Sequence, residues 1–555
     1  MRKSDLLFKR DRLWKEGKSM DKAKRKYRVS SILELGIIKV SHIVALAVFT
    51  FIAVNSFLFT GSNYNYQEII IFTRDSLLLN TFIILFVAFA AGFFIKYYKN
   101  PTLNTKKFEV FMFITTLVVG QLWLQSSRIG VVGEGYEITR GAAELYAGYY
   151  NRLSIDNYYG MFPFQLGYSL FCEIVYFIFG NENYAALQWI NSFAVAFTNV
   201  IMLRIGMLLY KDKKAYVIHG IMILLFFPQI MFVTFTYGVI IGLFFAVTSL
   251  WLAILYTRDR KLISLILCLL SISVAVIMKS NYLIFAVAIV LLIAMHSLNV
   301  KSITAACFLP LFIAFTWFAP VAVTKLYEYR SGGIYDLSQS TPKIVWIAMG
   351  LSDDGPYMPG WFNGLSYSAL SDAGYDTKIA SDNAKEIIRD RLEYFSTNPK
   401  EALSFFYTKT VSQWNEPSYG GLVLGYGVST TELGLVWKAI YGNGFFRNFF
   451  LDLLNGLHLV TFCGGMIFLF ISIKKKLEFE KLIVAIIVIG GFLFHLAWEG
   501  KSQYILQYGL IAQIPAVPGI LWLGEKSIPI IEAMLGKTRS VKRIDDSETV
   551  SDNEN

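Results

Sequence analysis

Trp498-Glu499-Gly500-Lys501-Ser502-Gln503-Tyr504 stands between two apolar stretches, Phe492–Ala497 before it and Ile505–Leu523 after it. An apolar run of about 20 residues can cross a hydrocarbon core roughly 30 Å thick. A carboxylate and an ammonium between two such runs are costly, roughly 2.5–3.5 kcal/mol each at mid-bilayer, so they mark a functional position. Trp498, Lys501 and Tyr504 are also the residue types that anchor helix ends at a headgroup interface.

The rest of the chain repeats this pattern. Of its 555 residues 55% are hydrophobic and 16% charged, a balance that fits no soluble globular class and fits an all-α polytopic membrane protein. Twelve transmembrane helices are expected, over 33–59, 77–95, 108–125, 183–209, 215–235, 239–257, 262–278, 282–298, 303–324, 450–473, 481–497 and 506–524. The net charge of +11 does not point to nucleic acid, because of where it falls. Twelve Lys and Arg residues lie between Arg2 and Arg28, and others sit in short loops, such as Lys211, Lys213 and Lys214, or Lys474, Lys475 and Lys476. This bias places both termini in the cytoplasm of a multi-pass cell-membrane protein, and the basic start suits anionic membrane lipid. No cleavable signal peptide is expected, since the first apolar run follows a long basic segment. Cys172, Cys268, Cys307 and Cys463 sit in apolar surroundings at no metal-ligand spacing and read as buried small hydrophobes.

The organisation follows from the spans. A basic cytoplasmic segment covers 1–32, two N-terminal helices lie within 33–107, and a core covers 108–324 with an outer loop at 126–182. An extracytoplasmic segment fills 325–449, the last helices fill 450–524, and a cytoplasmic tail with an acidic, disordered end covers 525–555. Loops as long as the two outer segments are usually functional. Within the first, Tyr136–Tyr149 is helix-like and Pro163–Phe179 is expected to lie in the interface. Within the second, helices are expected over Ile379–Phe395 and Pro399–Trp414.

Gly133-Glu134-Gly135-Tyr136-Glu137 opens the first outer loop. The flanking glycines allow a sharp turn beside Glu134, and a carboxylate there can accept a proton from a sugar hydroxyl. Glu134 and Glu137 are equally the composition of an exposed loop. Lys279, Lys409 and Lys501 could each meet a phosphate as a point charge, or snorkel from a helix end. His495, inside a span, reads as a packed histidine. No Walker loop, dinucleotide fingerprint, nucleophile elbow or HExxH is present.

Several further motifs follow one another along the chain. They are Glu134 with Ala142-Ala143, Tyr158-Tyr159 through Pro163-Phe164-Gln165-Leu166-Gly167, and Lys279-Ser280-Asn281. Trp346 to Met349-Gly350, Gly360-Trp361-Phe362-Asn363, Lys409 to Trp414-Asn415-Glu416-Pro417, and Phe494-His495 through Tyr504 follow. In these the chain resembles the GT-C superfamily of polyprenyl-phosphate-sugar-dependent glycosyltransferases. It looks most like the branch related to protein O-mannosyltransferases and aminoarabinose transferases in low-GC Gram-positive bacteria. The resemblance covers roughly residues 108–524.

The resemblance implies an inverting transfer from a polyprenyl-phosphate-linked sugar to a cell-envelope acceptor: polysaccharide, teichoic acid, lipid or protein. It implies a catalytic base at Glu134, with Glu137 as the near alternative, and a donor-phosphate site at Lys501, Tyr504, Lys279 and Gln503. A donor and acceptor pocket is implied at Tyr158, Pro163, Gln165, Trp361, Asn363, Lys409, Trp414 and Glu499. Metal use varies in the superfamily, so a divalent metal is allowed, and the sequence shows no ligand set for one. Two positions depart from the usual pattern: Glu134 stands where Asp is common, and Gln503 where Arg is common. The alternatives are a transporter or flippase of lipid-linked sugars, and a catalytically inactive scaffold of the same type.

Overall fold

The computed structural model describes residues 35–535 apart from 64–68, 99–102, 128, 132, 301, 426–438, 441–443 and 476. The basic segment 1–32 and the acidic end of the tail lie outside the described residues. The chain opens with α1 (Leu35–Leu58), a hairpin of β1 (Phe59–Asn63) and β2 (Ile70–Arg74), α2 (Leu77–Tyr97) and α3 (Thr105–Ser127). Then come α4 (Glu134–Tyr146), the short α5 (Tyr158–Met161), α6 (Leu166–Phe179), α7 (Tyr184–Tyr210), α8 (Lys213–Leu225) and the short α9 (Pro228–Met231). The middle holds α10 (Val239–Asp259), α11 (Leu262–Met278), α12 (Leu283–Val300) and α13 (Ile303–Arg330). A second group follows: α14 (Ile344–Leu351), α15 (Leu365–Asp372), α16 (Thr377–Thr397) and α17 (Pro399–Trp414). The chain closes with α18 (Phe445–Ser472), α19 (Phe479–Ala497), α20 (Leu506–Ile511) and α21 (Gln513–Met534).

Ten helical stretches among the described residues are long and apolar enough to cross a membrane. They are α1, α2, α3, α7, α10, Ser280–Leu298, α13, α18, α19 and the run Leu506–Met534. The protein is therefore an all-α, multi-pass membrane protein. The other two expected spans are also helical. One is α11, at 17 residues; the other is α8, which continues through a 45° bend into Pro228–Thr234. The bend has a local cause. Pro228 lacks an N–H, and the Gln229 amide donates back to the Ile223 carbonyl at 3.3 Å. Asn191 of α7 donates to the Val233 and Phe235 carbonyls, satisfying the broken backbone from a neighbouring helix.

Small residues set the closest packing. A Cβ at Gly519 of α21 would overlap the Gly464 carbonyl of α18, so these two backbones are in direct contact. In the same way α2 packs on α21, and α10 lies between α7 and α11.

Four features differ from the sequence reading. The hairpin β1–β2 was not expected. Two helices overrun their apolar stretches: α13 reaches Arg330 rather than 324, and α21 reaches Met534 rather than 524, because backbone hydrogen bonding continues into polar sequence. The stretch Pro163–Phe179, expected to lie in the interface, forms with Asn151–Met161 a pair bent by 98° that together is long and apolar enough to count as a broken span or a re-entrant loop. Finally, Cys172 and Cys268 are buried as expected, but Cys307 is exposed and Cys463 only partly covered. An apolar helix such as α13 turns side chains toward lipid as well as toward protein.

Candidate functional site

The site begins with α4. Its first residue is Glu134, following Gly133 at φ 56°. Acidic side chains in a first turn complement the helix dipole. Three side-chain donors, two of them buried, hold the backbone of α4. Tyr159 donates to the Ile138 carbonyl at 2.9 Å, Tyr176 to that of Thr139 at 3.0 Å, and Arg330 to that of Leu145 at 3.3 Å. Arg330 is itself paired with the buried Glu173 at 2.8 Å, which joins α6 to α13.

Glu134 lines a cavity of about 330 Å³. Around it stand Trp361, Phe362, Tyr357 and Tyr367 from the second helical group, Glu499, Lys501, Ser502 and Gln503 from the turn before α20, Asn63 from β1, and Gly420. Four of the expected site residues besides Glu134 thus come together there: Trp361, Glu499, Lys501 and Gln503. The Lys501 ammonium lies 5.9 Å from the Phe362 ring centroid, and the Tyr504 hydroxyl donates to Glu499 at 3.3 Å.

Lys279, in the turn after α11, stands behind this lining. Its ammonium sits 3.9 Å above the Tyr237 ring and 5.3 Å from that of Tyr504. Burial pushes its pKa down to about 8, with the charges of Glu134 and Glu499 pulling it up and Lys501 pushing it down. Two carboxylates and a second ammonium around the cavity thus act on Lys279. Gln165 donates to the Tyr237 hydroxyl at 2.7 Å, and the charge of Glu134 acts on the Tyr237 phenol, which burial raises first. Tyr158 is buried close to Glu134 and Tyr237, whose charges act on its phenol after burial has raised it.

Other expected residues sit elsewhere. Glu137 is turned away to Arg152, at 2.8 Å, in a network that continues to Glu144 at 2.6 Å. Lys409 is fully buried and donates to three backbone carbonyls: Gly350, Leu496 at 3.0 Å and Trp498 at 2.8 Å. It clamps α14 and the end of α19 rather than facing the cavity. Trp414 packs between Phe492 and Tyr508. Asn363 accepts from the Leu365 backbone N–H at 3.1 Å, and Pro163 starts a 3₁₀ turn. His495 is buried and stacks on Tyr504.

The lysine clamp is part of a larger strap. Gly500 N–H donates to the Gly360 carbonyl at 2.7 Å, Glu499 N–H to that of Trp346 at 3.0 Å, and Trp361 and Gly500 form a parallel bridge. The Trp361 indole donates to Ser412 at 2.9 Å. Beside it, the buried Glu416 carboxylate accepts from the backbone N–H groups of Ser418, at 3.0 Å, and Gly420. Gly420 has φ 75°, and a Cβ there would press on Gln503 at 3.3 Å, so the turn requires glycine.

Sequence reading missed Asn63, Tyr237 and Tyr367. Tyr237 had a usable signal, as a polar-tipped ring in Thr236-Tyr237-Gly238 between two apolar runs. Among the described residues no three His, Cys, Asp or Glu side chains gather at metal-binding spacing. No protein-family model and no curated protein matches the chain.

Proposed function

We propose that the protein is a glycosyltransferase of the GT-C type, taking a sugar from a polyprenyl-phosphate donor and adding it to a cell-envelope acceptor. The observation that carries this reading is the convergence of Glu134, Glu499 and Lys501 on one cavity of a multi-pass helical bundle, with Lys279 behind its lining. A lipid-linked phosphodiester brings one negative charge, and its departure as a phosphate monoester adds a second. Lys501 and Lys279 meet that growing charge, an interaction stronger in the transition state than in the ground state. Glu134 takes the proton of the acceptor hydroxyl. The hydroxyl oxygen bonds to the anomeric carbon as the bond from that carbon to the phosphate oxygen breaks, and the configuration inverts. Tyr237, held by Gln165, stands beside Glu134.

The test is purified protein with a panel of polyprenyl-phosphate sugars, reading release of the lipid phosphate. Release above a Glu134→Gln control is expected; no release with any donor removes the reading. The reaction belongs on the outer face of the cell membrane, with both termini in the cytoplasm. Single cysteines at Ser371 and Asn151 should then react with an impermeant thiol reagent in intact cells, and one at Lys213 should not. The reverse labelling pattern would invert the topology.

A further inference from the structure

The hairpin β1–β2 links α1 to α2, outside the stretch whose motifs carry the family resemblance. It nonetheless reaches the site. Successive residues of a strand point to opposite faces. On one face of β1, Asn63 lines the cavity of Glu134, while on the other, Thr60 and Ser62 line a second cavity of about 440 Å³. The strand is pinned in place by a hydrogen bond from Gly61 N–H to the Asn415 carbonyl at 2.9 Å. A Cβ at Gly61 would come within 3.0 Å of that same carbonyl, so the contact depends on glycine. The two cavities therefore share a wall one strand thick.

The far side of the second cavity is built by α18. Asn448, Asp452 and Asn455 recur at i, i+4 and i+7, which places them on one face of an otherwise apolar helix. Polar residues on a spanning helix are costly and usually mark function. Asp75 organises the floor by accepting from Thr60 at 3.1 Å, Asn80 at 3.2 Å and Asn455 at 2.7 Å. The Asn455 amide nitrogen also donates to the Ser56 carbonyl at 3.0 Å, which fixes the orientation of that amide. Its oxygen, on a residue only 2% exposed, has no hydrogen-bond partner among the described residues. A buried acceptor left in this state costs about 1–3 kcal/mol unless a ligand or water supplies a donor.

We infer that this second cavity is a binding subsite for a hydroxylated segment of the acceptor, a saccharide or polyol unit, held one strand away from Glu134. The inference rests on the glycosyl-transfer reading for its role and on the cavity itself for its chemistry. A bare cation would be opposed by the guanidinium of Arg74, which lines the same cavity. Hydroxyl groups suit the mixture, since each both donates and accepts. The Asp452 carboxylate and the Asn455 oxygen accept, while Arg74 and the Asn448 amide donate. The volume lies within the roughly 300–1,000 Å³ usual for small-ligand sites.

The experiment uses full-length protein in nanodiscs with no donor lipid added. The probes are chitobiose, maltotriose, a glycerol-phosphate oligomer and calcium chloride alone. Saturation-transfer NMR should detect binding of at least one hydroxylated probe. Asp452→Asn and Arg74→Gln, both at exposed positions, should each weaken it roughly tenfold, as expected for a lost charge-assisted contact. Lys501→Ala should leave it unchanged, which separates this site from the donor phosphate. No binding by any hydroxylated probe, or binding indifferent to both cavity variants, would overturn the inference. So would a rise in Tm from calcium alone that Asp452→Asn abolishes, since that identifies a cation site. Because no donor is present, failure here leaves the transfer reading standing, and failure of transfer leaves this site standing.

Discussion

Lys409 and Lys501 lie close together in the fold, and the sequence offers both as phosphate ligands. Lys409 is enclosed by three backbone carbonyls, with its charge used inside the scaffold. Lys501 lines a cavity together with Glu134 and Glu499. The difference teaches that a charge in a membrane protein is functional according to what its last atom faces, not according to depth or spacing. The same contrast separates Glu137, paired with Arg152, from Glu134 three residues earlier.

The largest expected effect tests the two glutamates. Glu134→Gln keeps the shape and removes the base, so turnover should fall by about 10²–10⁴-fold with donor still bound. Glu137→Gln loses an exposed ion pair worth about 0–1 kcal/mol and should leave turnover within a few-fold. Steady-state kinetics of the pair would reverse the assignment if Glu137→Gln were the inactive one. Glu134→Asp adds a finer reading, since a pocket built for the longer side chain makes Asp slower.

Next come the two lysines. Lys501→Ala should weaken donor affinity by about 1.5–3 kcal/mol, with thermal stability preserved. Lys409→Met should do the opposite. It leaves three buried carbonyls without a donor, at roughly 1–3 kcal/mol each, and should lower Tm sharply. Equal effects of the two variants on donor affinity in folded protein would erase the distinction between clamp and cavity. The clamp also carries a pH signature. Burial pushes Lys409 down to about 7 while the unfolded chain keeps the ordinary value of 10.5. Between those limits the unfolded state binds more protons, so stability should rise with pH across that window, and Lys409→Met should flatten the slope.

The smallest effect concerns Lys279. Its pKa, held to about 8, means that its charge is present below that pH and lost above it. Donor affinity should therefore decline about a few-fold as pH rises through 8. Lys279→Arg, which stays charged, should remove the decline. A wild-type profile flat from pH 7 to 9 would take Lys279 out of donor binding.

Much of the fold was legible because hydropathy reports the membrane directly, and all twelve expected spans are helical. Hydropathy says less about neighbours. Helices α10 and α13 are similarly apolar, yet most of α10 is buried in protein and most of α13 is not. That is why Cys307 of α13 was misread as buried. Glu134, Glu499 and Lys501 were legible because charges are scarce here and stand out, and Gln503 because it shares the short motif of Glu499 and Lys501. Tyr237 and Asn63 were not, because their place beside Glu134 depends on approaches across 103 and 71 residues of chain. The hairpin was missed because five-residue strands between two long helices leave only a weak periodic signal.

One consequence follows from the strap that joins Gly360, Trp361 and Trp346 to Glu499 and Gly500. It makes the lysine-bearing wall of the cavity a single rigid plate, spanning two parts of the chain more than a hundred residues apart. The carboxylate wall is jointed differently. It turns at Gly133, which has φ 56° and open space where a side chain would be. The two walls are thus joined to the fold in different ways, one through backbone bonds between distant segments and the other through a glycine turn at the start of a helix.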